Sequence, residues 1–205
     1  MKKILTVSAA AIAAAIALAG CSTGSAGYGG SMPGMNHGGS GMSSSSAPAV
    51  AADHNAADTM FAQMMIPHHK QAVEMSDIML MKQGLNPKVG ALATRIKAEQ
   101  NPEITTMMGW LKSWNESAQM SGDMPGGGMD GLMGGDDMLK LDAAQGTEGA
   151  SLFLTQMIAH HEGAVMMAKT ETTDGKNPDA VQLSKNIVAS QEAEMQEMKD
   201  LLASL

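Results

Sequence analysis

The sequence is short of cysteine, of aromatic side chains and of positive charge, and each shortage excludes a class of protein. A single cysteine, Cys21, leaves no partner for an internal disulfide and cannot build a thiolate metal cluster. Phenylalanine, tyrosine and tryptophan make up 2% of the 205 residues. A β-sandwich or barrel builds its strands from aromatic and β-branched residues, so an all-β fold is not expected. Lysine and arginine number 13 against 21 aspartates and glutamates, for a formal net charge of −8. A nucleic-acid partner, which would leave a basic footprint, is therefore not expected. No phosphate-binding loop, dinucleotide fingerprint or nucleophile elbow occurs, and a non-enzyme is the expectation. What is plentiful is methionine, at 22 residues, beside six histidines.

The N-terminal segment reads as a targeting signal. Lys2 and Lys3 precede an Ala-rich apolar run from Ile4 to Leu18 that is too short for a comfortable membrane span. It ends in Leu18-Ala19-Gly20-Cys21, which resembles a bacterial lipobox, whose cysteine is acylated and becomes the new N-terminus. Residues 1–20 are thus expected to be a lipoprotein signal peptide. Cys21 is the expected lipidation site, tying an extracytoplasmic protein to the cell membrane or outer membrane. Residues 21–52 are dense in Gly, Ser, Ala and Pro, cannot bury a core, and are expected to form a flexible tether. The tether holds Met32, Met35, His37 and Met42, and a second Gly-rich stretch holds Met120, Met124, Met129, Met133 and Met138. Methionine is ordinarily adaptable core filler. These eight methionines lie where no core is expected, and a thioether's other aptitude is for soft cations such as Cu(I).

The remainder is an internal repeat. FAQMMIPHHKQAVEM at 61–75 is matched by FLTQMIAHHEGAVMM at 153–167, with Phe61, Met65, Ile66, His68, His69, Ala72, Val73 and Met75 all recurring. Asn86-Pro87 recurs as Asn177-Pro178, and Ile96, Gln100, Glu103 and Met107 recur as Ile187, Gln191, Glu194 and Met198. Each half reads as a helix, a short turn and a second helix, with Asn at the N-cap and Pro at the first helical position. Two helical hairpins, 55–117 and 139–205, joined by a Met/Gly loop at 118–138, predict an all-α, four-helix bundle over 53–205.

Helical spacing puts Phe61, Met65, His68, Ala72, Met75 and Met79 on one stripe, and Phe153, Met157, His160, Ala164 and Met167 on its counterpart. His69 and His161 are expected on the flank of each stripe. On the partner helices Gln100 and Gln191 sit mid-stripe and Glu103 and Glu194 near the edge, with Leu202 and Leu205 continuing the last stripe. A turn centred near residue 85 brings residues near 102 opposite His68, and the second hairpin brings Gln191 and Glu194 opposite His160. Each half therefore gathers two histidines, methionines, a glutamine and a glutamate at one height. Buried polar groups without partners cost roughly 1–3 kcal/mol each. Either a closed hydrogen-bond network or a metal site, with imidazole and thioether ligands and carboxylates in support, would justify them. Pro67 and Pro102, absent from the second repeat, predict kinks and an opened turn beside the first His pair.

MMIPHHKQAVEM, the NP turn, the glutamine–glutamate helix ending in two tryptophans, and MIAHHEGAVMMA together resemble the family called domain of unknown function 305. That family includes CopM-like copper-binding proteins of the bacterial cell envelope. The resemblance covers roughly 58–205. It implies a ferritin-like bundle, an extracytoplasmic site, and copper held by Met65, His68, His69 and Met75 in one motif and Met157, His160, His161 and Met167 in the other. Glu103, Glu194, Met107 and Met198 complete the candidate site.

The leading expectation is a lipid-anchored protein that sequesters or delivers copper, as Cu(I) or Cu(II), with an unknown transfer partner. The alternative is an envelope adaptor whose polar layer is purely structural. A di-iron oxidase is disfavoured, because its Glu-x-x-His pairs are absent from the chain. Zinc would suit the histidines but leave the methionines unexplained.

Overall fold

The computed structural model describes residues 53–119 and 131–205. Cys21, the tether and Met120, Met124 and Met129 lie outside the described residues. Five helices follow in order: α1 (Ala56–Leu80), α2 (Pro87–Trp114), α3 (Gly135–Ala143), α4 (Gly146–Asp174) and α5 (Pro178–Leu202). The pairs α1/α2 and α4/α5 form the two expected hairpins, α1 packs along α4, and α2 touches α5 only sparsely, which makes a four-helix bundle. No helix among the described residues is long and apolar enough to cross a membrane.

The helix starts follow from their caps. The Asn55 side chain accepts the N–H groups of Ala57 and Asp58 while the Asp58 carboxylate accepts the Asn55 N–H, a reciprocal capping box. Asn86 and Asn177 cap α2 and α5 ahead of a first-turn proline, as the sequence predicts. Asn177 is buried and accepts two N–H groups, from Asp179 and Ala180, whereas the less buried Asn86 accepts one, from Lys88. Asn177→Ala should therefore destabilise by roughly 1–2 kcal/mol and Asn86→Ala by less, as urea unfolding will show.

Four expectations are corrected here. The 118–138 loop does not run to the second hairpin, because Gly135–Ala143 forms the short α3, which lies on α1 and α4. Asp136 and Asp137 favour its N-terminus and Leu141 anchors it in the core. For the same reason Met133 and Met138 are not stranded outside a core but pack against it. The prolines open no turn: α1 and α2 run unbroken through Pro67 and Pro102. Burial of Ile66 and His68 beside one proline, and of Gln100 and Ile104 beside the other, outweighs a missing N–H. Leu205 is exposed beyond the end of α5, and Leu201 takes the buried place instead.

The core is divided in two. One half holds Met75, Met79, Leu92, Ile96, Phe153, Met157 and Met198. The other holds Phe61, Met65, Met107, Leu111, Ala164 and Ile187. On every long helix the histidine, or the glutamine and glutamate, falls between a residue of one half and a residue of the other. The polar layer is therefore a single stratum across the middle of the bundle. Repeat-related positions exchange halves, Met65 for Met157 and Met107 for Met198, as two hairpins packed head to tail require.

A second buried polar knot closes one end. The Asp58 carboxylate accepts the N–H groups of Lys176 (3.1 Å) and Asn177 (2.9 Å) at the α4–α5 turn. The buried Glu171 carboxyl lies beside it. Burial pushes the Asp58 carboxyl up, but Glu171 and the backbone N–H groups outweigh that and hold it below its ordinary 3.8. Glu171 goes the other way: burial and the neighbouring Asp58 and Asp174 carboxylates push it up to about 8. At neutral pH Glu171 is therefore protonated and Asp58 ionised.

Candidate metal centre

All four histidines of the two repeats are buried. This corrects the expectation that His69 and His161 sit on a flank. His68 and His160 turn to each other across the α1–α4 seam, while His69 and His161 turn to the glutamate on their own hairpin partner, α2 and α5. The rings of His68 on α1 and His160 on α4 lie against each other, with centroids 3.7 Å apart and planes at 44°. The His160 and His161 rings are 6.3 Å apart. His69 Nε2 lies 2.7 Å from Glu103 Oε2, and His161 Nε2 lies 2.8 Å from Glu194 Oε2. A carboxylate only accepts, so each imidazole donates from Nε2, which leaves Nδ1 as the nitrogen a neutral ring would offer to an ion. Both of those Nδ1 atoms are buried with no hydrogen-bond partner among the described residues.

That arrangement is the one seen when a ring nitrogen is reserved for a metal. The carboxylate fixes tautomer and ring orientation through one nitrogen and raises the basicity of the other. Burial, followed by the charges that His68, His161 and His69 would carry, holds His160 well below the ordinary 6.5, so its imidazole is neutral. Both Gln100 side-chain atoms are also buried without a partner. Among the described residues no three His, Asp or Glu side chains converge as a metal-binding group. The groups that approach one another are imidazole with imidazole and imidazole with carboxylate. An ion held here would complete its shell from thioethers. Met65 and Met157 lie one turn from the histidines, Met107 and Met198 one turn from the glutamates, and all four are fully buried. Met75 and Met167 stand two turns away. Met75 belongs to the apolar core, and Met167 is half-buried at the surface between α1 and α4.

The two halves of the layer are not equal. Arg95 on α2 reaches across to α5, pairing with Glu197 and approaching Glu194 at 3.7 Å. The Glu194 side chain is 7% exposed and the Glu103 side chain 19%. On the opposite side the chain entering α3 crosses the α1–α4 seam. Gln71 donates to the Met133 carbonyl (2.9 Å) and accepts the Met133 N–H (2.7 Å). Gly131 (φ +86) lies so close to α4 that a Cβ there would fall 2.8 Å from the Ala159 carbonyl oxygen and 3.0 Å from that of His160. Neither Arg95 nor this strap is marked by the repeat: Arg95 corresponds to Asn186, and Gln71 to Gly163.

The family described as Domain of unknown function (DUF305) matches residues 58–202. Among solved structures, a DUF305 protein of Streptomyces coelicolor named as secreted is 36% identical, with 72% of this chain and 93% of that one covered at a TM-score of 0.68. A DUF305 fragment from Deinococcus radiodurans is 26% identical over 74% of this chain and 98% of that one, with a TM-score of 0.67. CopM in its Cu(II)-bound form is 34% identical over 72% of this chain and 96% of that one, with a TM-score of 0.62. CopM in its Cu(I)-bound form is 32% identical over the same shares, with a TM-score of 0.60. None of the curated proteins matches.

Proposed function

Because the chain belongs to the DUF305 family, we propose that it is a copper-binding protein of the cell envelope, lipid-anchored at Cys21, which sequesters or hands on copper and catalyses no reaction. The observation that carries this reading is the pair of buried Nδ1 atoms on His69 and His161, each backed through Nε2 by a glutamate. His68 and His160, in ring contact between them, supply further imidazole. Met65, Met107, Met157 and Met198 supply the thioethers that suit Cu(I). Glu103 and Glu194 orient the rings. Copper is the cargo here, and CopM, a relative of similar fold, is known in copper-bound and silver-bound forms. A structurally required polar layer remains the competing reading.

The test is a Cu(I) competition titration of the mature chain beside His69→Ala/His161→Ala. The double variant should bind at least 100-fold more weakly. Equal affinity in the two proteins would remove the layer from the site.

A further inference from the structure

Met167 was grouped with the histidines by sequence, yet it lines an open groove of about 380 Å³ between the start of α1 and the end of α4. Met60 and Met64 line the same groove from α1. They are four residues apart, so they rise from adjacent turns of one face. Met60 is 50% exposed, and Met64 and Met167 are half-buried. Core filling accounts in part for Met167, which packs against the Phe61 half of the core, but not for Met60 and Met64, which belong to neither half. The groove wall also includes Glu171 and Asp174, two carboxyl groups in the last turn of a helix that has no basic residue there.

We propose that Met60, Met64 and Met167 form a separate soft-cation site, solvent-open and all-thioether, that takes monovalent Cu(I) or Ag(I) in preference to Cu(II). Three neutral sulfurs suit a soft ion of low coordination number, and a harder divalent ion would find no nitrogen or anionic oxygen among the three. Asp174 supplies local negative potential without being needed as a ligand. The site rests on the copper reading for its biological cargo, but its chemistry is independent of the histidine layer. Its openness suits it to capture and exchange, where the buried layer suits retention.

The experiment uses the mature chain with methionine methyl groups labelled with ¹³C, titrated with Ag(I), which is redox-inert under these conditions. The methyl resonances of Met60, Met64 and Met167 should shift together, and should still do so in His69→Ala/His161→Ala. Met60→Leu/Met64→Leu/Met167→Leu, which conserves volume, should melt at the wild-type temperature and bind one Ag(I) fewer. Unmoved methyl resonances, or an unchanged silver stoichiometry in the triple variant, would overturn the proposal. If instead the groove methyls respond while the histidine signals never do, the groove site stands and the histidine layer falls.

Discussion

Replacing His160 by leucine should leave the metal-free protein about as stable as wild type, whereas the same change at its neighbour His161 should cost about 3 kcal/mol or more. The two residues are adjacent and both buried, but they are coupled to different things. His161 is the hydrogen-bond donor to the buried carboxylate of Glu194. Its loss strands a buried carboxylate whose cationic neighbour, Arg95, is 3.7 Å away. His160 faces the ring of His68 and carries no charge, so an apolar replacement removes a desolvated polar group without orphaning a carboxylate. Copper then separates function from folding. At a free Cu(I) concentration one hundred times the dissociation constant, wild type should gain about 2.7 kcal/mol. Both variants should lose most of that gain, although only one is destabilised without metal. Thermal unfolding with and without Cu(I) reads all of this. A layer that is purely structural would give all three proteins the same copper-dependent shift.

The end knot predicts an unusual pH dependence. Glu171 has its folded pKa raised to about 8 from an ordinary 4.5. Its contribution is therefore complete below the unfolded value and is lost as pH climbs towards 8. The slope approaches at most about 1.4 kcal/mol per pH unit. Asp58, held below 3.8, works in the opposite sense and gives up its contribution only in stronger acid. The groups facing the pair are Asp174 on the same helix and the backbone N–H groups of Lys176 and Asn177; the Lys176 ammonium is turned to Asp53, 2.7 Å away. Glu171→Gln keeps a donor for Asp58 but cannot ionise. It should match wild type near pH 5 and exceed it by roughly 1–3 kcal/mol at pH 8.5. Parallel urea-stability profiles for the two proteins between those pH values would rule out a protonated Glu171 in the folded state.

The repeat made much of this legible. Phe61 and Phe153, Met65 and Met157, and the Asn-Pro turns located two hairpins and their inward stripes, and the hairpin turns set His68 level with Glu103 and His160 level with Glu194. What escaped was whatever the halves do not share. Asp58 corresponds to Ala150, and Glu171 to Met79, so the carboxyl knot has no echo in the other hairpin. Arg95 and Gln71 were hidden for the same reason. The inward turn of His69 and His161 depends on how closely four helices approach, a tertiary quantity that periodicity within one helix does not contain. Met75 and Met167 show the converse. The motif pairs them with the histidines, but two helical turns along an axis separate them in space.

The imidazoles have walls of unequal thickness. The hairpin seams, α1 with α2 and α4 with α5, are the most tightly packed, and the Gln71-pinned strap seals α1 against α4. What is left is the α2–α5 face, spanned by little more than the Arg95 guanidinium reaching for Glu194 and Glu197. On the copper reading proposed above, an ion would enter between α2 and α5 beside this guanidinium. The side chains that hold it would then differ from the one that flanks its path, and either could be tuned without disturbing the other.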